Sequence, residues 1–163
     1  MADSKRKIYV ETPRGKIVDV HHKDGTVTME LKWNPGFSTR MNKSFSDVQG
    51  FVDSECIRLM TPYTPMQNGI LYKSATLGTT IGSGMIHQVA PYARYQYYGK
   101  LMVSSVTGSS YARNGESKVL TNKDLKYSTA KHPQAQKLWF EVMKAEKKQQ
   151  ILRGAAAITR RRK

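Results

Sequence analysis

The sequence contains little cysteine, few acidic residues and no long hydrophobic run. Cys56 is the only cysteine among 163 residues, which excludes an intramolecular disulfide framework and a cysteine-rich zinc module and fits a reducing compartment. No segment approaches the roughly 18 apolar residues that a membrane-spanning helix needs, and no apolar stretch follows the basic N-terminus as in a secretory signal. We therefore predict a soluble protein with no membrane partner.

The scarcity of acidic residues leaves a large positive charge. There are 27 Lys and Arg residues against 12 Asp and Glu, a formal net charge of +15. The last twenty residues, 144–163, contribute eight basic side chains and one acidic side chain. Such an excess attracts nucleic acid, anionic membranes or acidic protein surfaces without regard to sequence. The 39% hydrophobic content predicts one folded domain rather than a disordered chain.

Residues 1–36 have the pattern of an antiparallel β meander. Ile8 and Val10 alternate with polar residues, and a second apolar run ends near His21 and His22. Asp24-Gly25 predicts a tight turn before a third strand. In that strand Val27, Met29, Leu31 and Trp33 fall on one face, so we expect one buried face and one solvated face.

A helix is predicted after the meander, and a second, longer one near the C-terminus. Apolar residues step by three or four positions from Met41 to Leu59. A second such stripe follows Pro133, which we expect in the first turn of the C-terminal helix. Between them the pattern predicts two short strands joined near Ser83-Gly84, a helical turn at Pro91, and a long projecting loop over 104–132. The fold class is therefore α+β.

The sequence offers no convincing catalytic or metal-binding set. Phosphate-binding and dinucleotide-binding glycine spacings are absent, and the adjacent His21 and His22 would point to opposite faces of a strand. Asp47, Asp53 and Glu55 do not stack on one helix face. We predict a protein that is not an enzyme and needs neither a cofactor nor a metal ion.

The segment Pro91–Lys100 combines aromatic and basic residues. It could stack nucleic-acid bases, contact another protein subunit, or fill the core. Because the aromatics cluster in one segment instead of lining several strands, core or intersubunit packing is the favoured interpretation. The predicted subunit-interface residues are Tyr92, Arg94, Tyr95, Tyr97, Tyr98 and Trp139.

A series of short motifs resembles the minor capsid or neck proteins of tailed bacteriophages, over roughly residues 30–155. Their order and spacing carry the resemblance, since no single motif is specific. The family has Thr where this chain has Asn68, which keeps a turn-forming residue before Gly69. The motifs are, in order, Gln49–Cys56, Thr61–Pro65, Asn68–Leu71 with Ser74, Ile81–Gly84, Ala90–Ala93, Tyr97–Gly99, and Trp139–Glu141 with Met143 and Lys144.

The resemblance implies a head–tail joining protein of the virion, assembled in the host cytoplasm. The expected organisation is one domain over 1–157 and a basic tail over 158–163. The expected partners are other copies in a hexameric or dodecameric ring, and neighbouring portal or adaptor and tail-terminator rings. Arg160, Arg161, Arg162 and Lys163 would contact passing genomic DNA non-specifically or an acidic partner. The alternative is a basic nucleic-acid-binding module, and an enzyme such as a nuclease is a weaker third.

Overall fold

The computed structural model of the protein describes residues 17–161 and confirms an α+β fold. The described part begins with an antiparallel strand pair and closes with a long helix. A second antiparallel pair lies between the short central helices and that last helix. The elements are β1 (Ile17–His22), β2 (Gly25–Glu30), α1 (Phe37–Met60), a 3₁₀ turn (Thr61–Tyr63), α2 (Ile70–Gly78), α3 (Ala93–Tyr98), β3 (Lys100–Ser104), β4 (Lys118–Asp124) and α4 (Trp139–Arg160).

The core lies where the C-terminal half of α1 meets the N-terminal half of α4. The two helices run antiparallel, since Tyr63 after α1 donates a hydrogen bond to Glu146 Oε2 at 2.5 Å while Phe51 lies against Gly154. Burial of this apolar stripe supplies the main favourable term in folding. The most buried hydrophobic residues are Leu59, Met60, Tyr63, Leu71, Ala75, Ala90, Ala93, Trp139, Met143 and Ile151.

A buried carboxylate joins α1 to the turn at 81–84. Asp53 is 3% exposed, and its Oδ2 accepts hydrogen bonds from the backbone N–H groups of Gly82 (2.8 Å) and Gly84 (3.1 Å). Gln49 Nε2 donates to its Oδ1 at 2.7 Å. Both glycines have positive φ, a conformation other residues rarely adopt. The predicted short strands at this point are therefore wrong: the segment is a turn organised by Asp53.

The β1–β2 hairpin follows the predicted turn but does not bury its apolar face within the described chain. The register pairs Val20 with Val27, and Met29 lies on the same face. Val27 is 60% and Met29 56% exposed, and Leu31 and Trp33, beyond the end of β2, are exposed too. The prediction of one buried face is thus wrong for the single chain, because no element between 17 and 161 covers it.

The second strand pair corrects the prediction of a structureless loop over 104–132. Residues 118–124 form β4, which pairs with β3 through Met102–Leu120 and Val103–Val119. A bulge follows, and Thr121 donates its hydroxyl to Leu101 O at 2.8 Å. The projecting part is therefore shorter than expected, since pairing with β3 orders the second half of the segment.

Both ends of the C-terminal helix differ from the prediction. The helix begins at Trp139 rather than Pro133, because Leu138 has a positive φ of 53° that interrupts helical geometry. Helix α4 continues through Arg160, so residues 158–160 of the predicted tail are helical. The predicted strand around Ile8 and Val10 lies outside the described residues, as do Arg162 and Lys163.

Candidate functional site

Helix α3 brings together the tyrosines predicted to contact other subunits, but only some of them face solvent. Tyr92, Arg94, Tyr95 and Tyr98 are exposed. Trp139 is only 1% exposed, and Tyr97 packs edge-on against it with ring centroids 4.9 Å apart. Placing Trp139 at a subunit surface is therefore wrong, because this side chain is buried in the core. Tyr97 is half-buried beside it and anchors α3.

Backbone hydrogen bonds fix α3 between the core and the β3–β4 pair. Leu138 N–H donates to Tyr97 O, and Leu125 N–H donates to Gly99 O, both at 2.8 Å. Gly99 ends the helix in the left-handed conformation, and a Cβ there would lie 3.1 Å from the Tyr127 hydroxyl. That hydroxyl donates to the Gln96 carbonyl. The exposed tyrosines of α3 are thus presented by a firmly held helix.

Two adjoining cavities form what we call the aromatic groove, with Tyr92, Gln96 and Leu125 between them. One cavity, of about 500 Å³, is bounded on its other sides by the loop 65–69 and by residues 126–128. The second, of about 480 Å³, is bounded by α3 and β3. The walls of the second cavity include Pro91, Tyr95, Lys100, Leu101, Met102, Ser110 and Lys118.

The surroundings of the aromatic groove are basic. Lys100, Lys118 and Lys126 are among the described residues that line it, and no Asp or Glu is. Lys100 Nζ bonds Asp124 Oδ1 at 2.9 Å, and this hydrogen bond holds the pKa of Asp124 below its ordinary value. Lys118 Nζ donates instead to the Ser110 carbonyl at 2.8 Å. The groove therefore favours a ligand with apolar side chains and negative charge.

Two half-buried tyrosines, Tyr97 and Tyr127, stay neutral. Burial raises the pKa of Tyr97, and Glu141 raises it further. Burial also raises the pKa of Tyr127, with a smaller effect from Asp124. Both hydroxyls are therefore protonated at neutral pH, and Tyr127 can serve as the hydrogen-bond donor that holds Gln96.

A third cavity, of about 470 Å³, lies between α1 and the start of α4 and includes Cys56. Burial raises the pKa of the Cys56 thiol, and the nearby Asp53 and Glu55 raise it further. A protonated, half-buried thiol is a poor nucleophile. Among residues 17–161 no group of three or more His, Cys, Asp and Glu side chains could hold a metal ion.

The basic side chains at the end of α4 are exposed. Arg160 and Arg161, predicted to contact DNA or an acidic partner, both face solvent, as do Lys148 and Arg153. None of these four forms an ion pair with any residue in the part of the chain that the structure describes. The last turns of α4 therefore present an uncompensated positive surface. Within that same part, no helix is long and apolar enough to cross a membrane.

Two features of the site were missed by reasoning from the sequence. The role of Asp53 does not follow from its place on the helix, because its partners Gly82 and Gly84 lie about thirty positions further along the chain. Leu125 and Tyr127 fall within the loop predicted over 104–132, although they form part of the aromatic groove. The one available signal was the Gly-x-Gly pair at 82–84, which can present backbone N–H groups to a buried carboxylate.

Comparison of the chain with protein-family models, curated proteins and solved structures gives no significant match.

Proposed function

We propose that this protein is a structural component of a tailed-bacteriophage virion, forming a ring in the neck that joins head to tail around the path of the DNA. The observation that carries the proposal is the apolar and aromatic surface that residues 17–161 leave uncovered. It includes one face of the β1–β2 hairpin and the exposed tyrosines of α3. Surface of this kind is typical of proteins that work within assemblies.

The motifs that resemble neck proteins support the proposal because they contact one another in the fold. Asp53 of the first motif binds Gly82 and Gly84 of the Ile81–Gly84 motif. Tyr97 of the Tyr-Tyr-Gly motif packs on Trp139 of the last motif. Asn68 accepts a hydrogen bond from Ile70 N–H at 3.2 Å, as expected of a turn residue before Gly69. These contacts hold distant parts of the chain together. Motifs that make such contacts are the ones that proteins with the same fold are expected to share.

A nonsense mutation in the gene tests the proposed function in the phage that carries it. Without the protein, we expect DNA-filled heads and free tails in electron micrographs and a loss of infectious particles. Expression of the full chain from a plasmid should restore joined particles. Joined, infectious virions in the absence of the protein would refute the proposal.

The second candidate function, a basic nucleic-acid-binding module, is favoured by the exposed end of α4. Arg153, Arg160 and Arg161 have no carboxylate partner among the described residues, so they are free to neutralise phosphates. This function predicts duplex binding by the monomer that falls steeply as salt is raised. Fluorescence anisotropy should then show weaker binding and a smaller salt slope for Arg160→Gln/Arg161→Gln. Unchanged binding would exclude this end of α4 as the contact.

A further inference from the structure

We infer that the aromatic groove binds an extended segment of a different protein, in which apolar side chains lie between two carboxylates. The inference rests on the proposed function for the source of that segment, which is a neighbouring protein of the neck. It adds to that function the surface that receives the neighbour and the chemistry that recognises it.

The aromatic groove is elongated, since its two cavities adjoin along one wall. The cavities have volumes of about 500 and 480 Å³ and share Tyr92, Gln96 and Leu125. The first cavity extends from this shared wall to the loop 65–69, and the second extends to Ser110. A compact small molecule would occupy one cavity, whereas an extended chain can occupy both.

Hydrogen bonds hold the walls of the groove in place without a ligand. Lys131 Nζ donates to the Gln67 carbonyl at 2.7 Å and connects the loop 65–69 to the segment after β4. The Tyr127 hydroxyl donates to the Gln96 carbonyl of α3. A groove formed in advance loses little conformational entropy on binding, which favours recognition of a flexible segment.

Positive charge lies in both cavities, and the wall that they share is uncharged. Lys126 lines the first cavity, and Lys100 and Lys118 line the second. Lys100 is paired with Asp124, whereas Lys118 and Lys126 have no carboxylate partner among residues 17–161. The complementary ligand therefore has an apolar stretch with a carboxylate on each side of it.

A second copy of this chain does not offer such a segment. All ten carboxylates among residues 17–161 already have a hydrogen bond, an ion pair or another electrostatic interaction within the chain. Residues 1–16 carry five basic and two acidic side chains, and both residues of 162–163 are basic, so neither stretch matches the charge of the groove. The engaged carboxylates belong to Asp19, Asp24, Glu30, Asp47, Asp53, Glu55, Glu116, Asp124, Glu141 and Glu146.

A protein segment fits the groove better than single-stranded nucleic acid does. Every nucleotide carries a phosphate, and a bound strand needs basic contacts along its whole backbone. Among the described residues that line the groove, two lysines are unpaired and none is an arginine. Much of the remaining wall is apolar and includes Met66, Leu71, Leu101, Met102 and Leu125. A peptide with two carboxylates and several apolar side chains matches these charges and this wall.

Selection from a library of random linear peptides tests the chemistry of the partner. The full chain is the target, and peptides that also bind Lys118→Gln/Lys126→Gln are removed. We expect the enriched peptides to carry carboxylates on both sides of apolar or aromatic side chains. Enrichment of basic or uncharged peptides would overturn the inference, as would a selection in which no sequence is enriched.

Fluorescence anisotropy of the most enriched peptide then measures the contribution of the groove lysines. Lys118→Gln/Lys126→Gln should weaken binding by at least about tenfold. The control, Lys123→Gln/Lys148→Gln, removes the same charge from exposed positions that do not line the groove and should bind as the parent does. Equal weakening in the two variants would show attraction to net charge alone and would overturn the inference.

The groove tyrosines are tested in the same assay. Tyr92→Ser/Tyr95→Ser should also weaken binding by at least about tenfold. Its control is Tyr98→Ser/Tyr111→Ser, at exposed positions that do not line the groove. If thermal unfolding shows that the first variant does not fold, the lysine variant, which changes two exposed side chains, decides the result.

An oligothymidine strand distinguishes nucleic acid from protein at the same site. It should not displace the peptide at physiological ionic strength, and displacement would overturn the inference in favour of a nucleic-acid strand. Selective peptide binding with joined virions in the nonsense mutant would uphold the groove as a protein-binding site and refute the neck function. Unjoined particles together with a selection that enriches no sequence would leave the neck function standing on a different contact.

Discussion

Asp53 is the residue on which the local architecture most depends. Its carboxylate is shielded from water and accepts hydrogen bonds from one side chain and two backbone N–H groups. These bonds connect α1 to a turn about thirty residues further along the chain. The turn itself contributes no apolar side chain to the innermost core, so this carboxylate, rather than packing, holds it in place.

Removal of this carboxylate should be costly. Asp53→Ala leaves the Gly82 and Gly84 N–H groups without a partner, and we expect the free energy of unfolding to fall by about 2–4 kcal/mol. Asp53→Asn should lose less, because its carbonyl oxygen can still face both N–H groups while the Gln49 amide turns over. Urea unfolding measures both values. As a control, Asp124→Ala removes only an exposed ion pair and should cost far less than Asp53→Ala. Equal losses for Asp53→Ala and Asp124→Ala would contradict this role of Asp53.

At the scale of elements, the glycines of α1 and α2 show how closely neighbouring segments approach. A Cβ at Gly78 would lie 2.7 Å from Val89 Cγ1 and 2.8 Å from the His87 carbonyl oxygen. A Cβ at Gly50 would meet only Ile81 Cγ2, at 3.6 Å. Segment 85–89 is thus pressed against the end of α2, whereas α1 has room at Gly50.

The two glycines should respond to alanine in opposite directions. Gly50→Ala should raise the free energy of unfolding by about 0.5–1 kcal/mol, since alanine favours the helix and fits the space. Gly78→Ala should lower it by about 1–3 kcal/mol, because the His87 backbone must move to admit the methyl group. Thermal unfolding of the two variants in one buffer provides the comparison. Stabilisation by both substitutions would show that segment 85–89 can move away from a methyl group at position 78 at little cost in free energy.

The elements differ in how far the sequence could predict them. Helix α1 and most of α4 follow from local apolar periodicity, and the β1–β2 hairpin follows from Asp24-Gly25. Strand β4 could not be predicted, because Lys118–Asp124 has no clear alternation and becomes a strand by pairing with β3. The burial of Trp139 depends on contact with Tyr97, about forty residues earlier, which no local pattern reveals.

At the scale of the whole molecule, three hydrogen-bonded or buried tyrosines make the fold sensitive to alkali. The pKa of Tyr63 is raised mainly by its hydrogen bond to Glu146, and burial raises the pKa values of Tyr97 and Tyr127. The folded protein therefore holds these protons more tightly than the unfolded chain does. Their contribution to stability is complete below the ordinary tyrosine pKa of about 10 and is lost as pH rises through the folded values.

We expect the free energy of unfolding to decline above about pH 10 more steeply in the parent than in Tyr63→Phe. The phenylalanine variant lacks the proton and also the bond to Glu146, so it should be less stable at pH 7 and less dependent on pH above 10. Denaturant unfolding across this range measures both effects. Tyr111→Phe, at an exposed position, serves as the control and should match the parent. If the free energy of unfolding falls equally steeply with pH in Tyr63→Phe and in the parent, Tyr63 does not contribute to the sensitivity to alkali.

The solitary thiol of Cys56 gives the molecule a built-in reporter of core opening. It lies in the cavity between α1 and α4, and its raised pKa keeps it protonated in the closed state. A thiol-labelling reagent should therefore modify the folded protein far more slowly than the unfolded chain, at a rate set by how often the helices separate. Asp53→Ala should accelerate labelling, whereas Ile17→Gln on the distant hairpin should not. The rate of thiol labelling would thus distinguish opening of the core between α1 and α4 from changes confined to the β1–β2 hairpin.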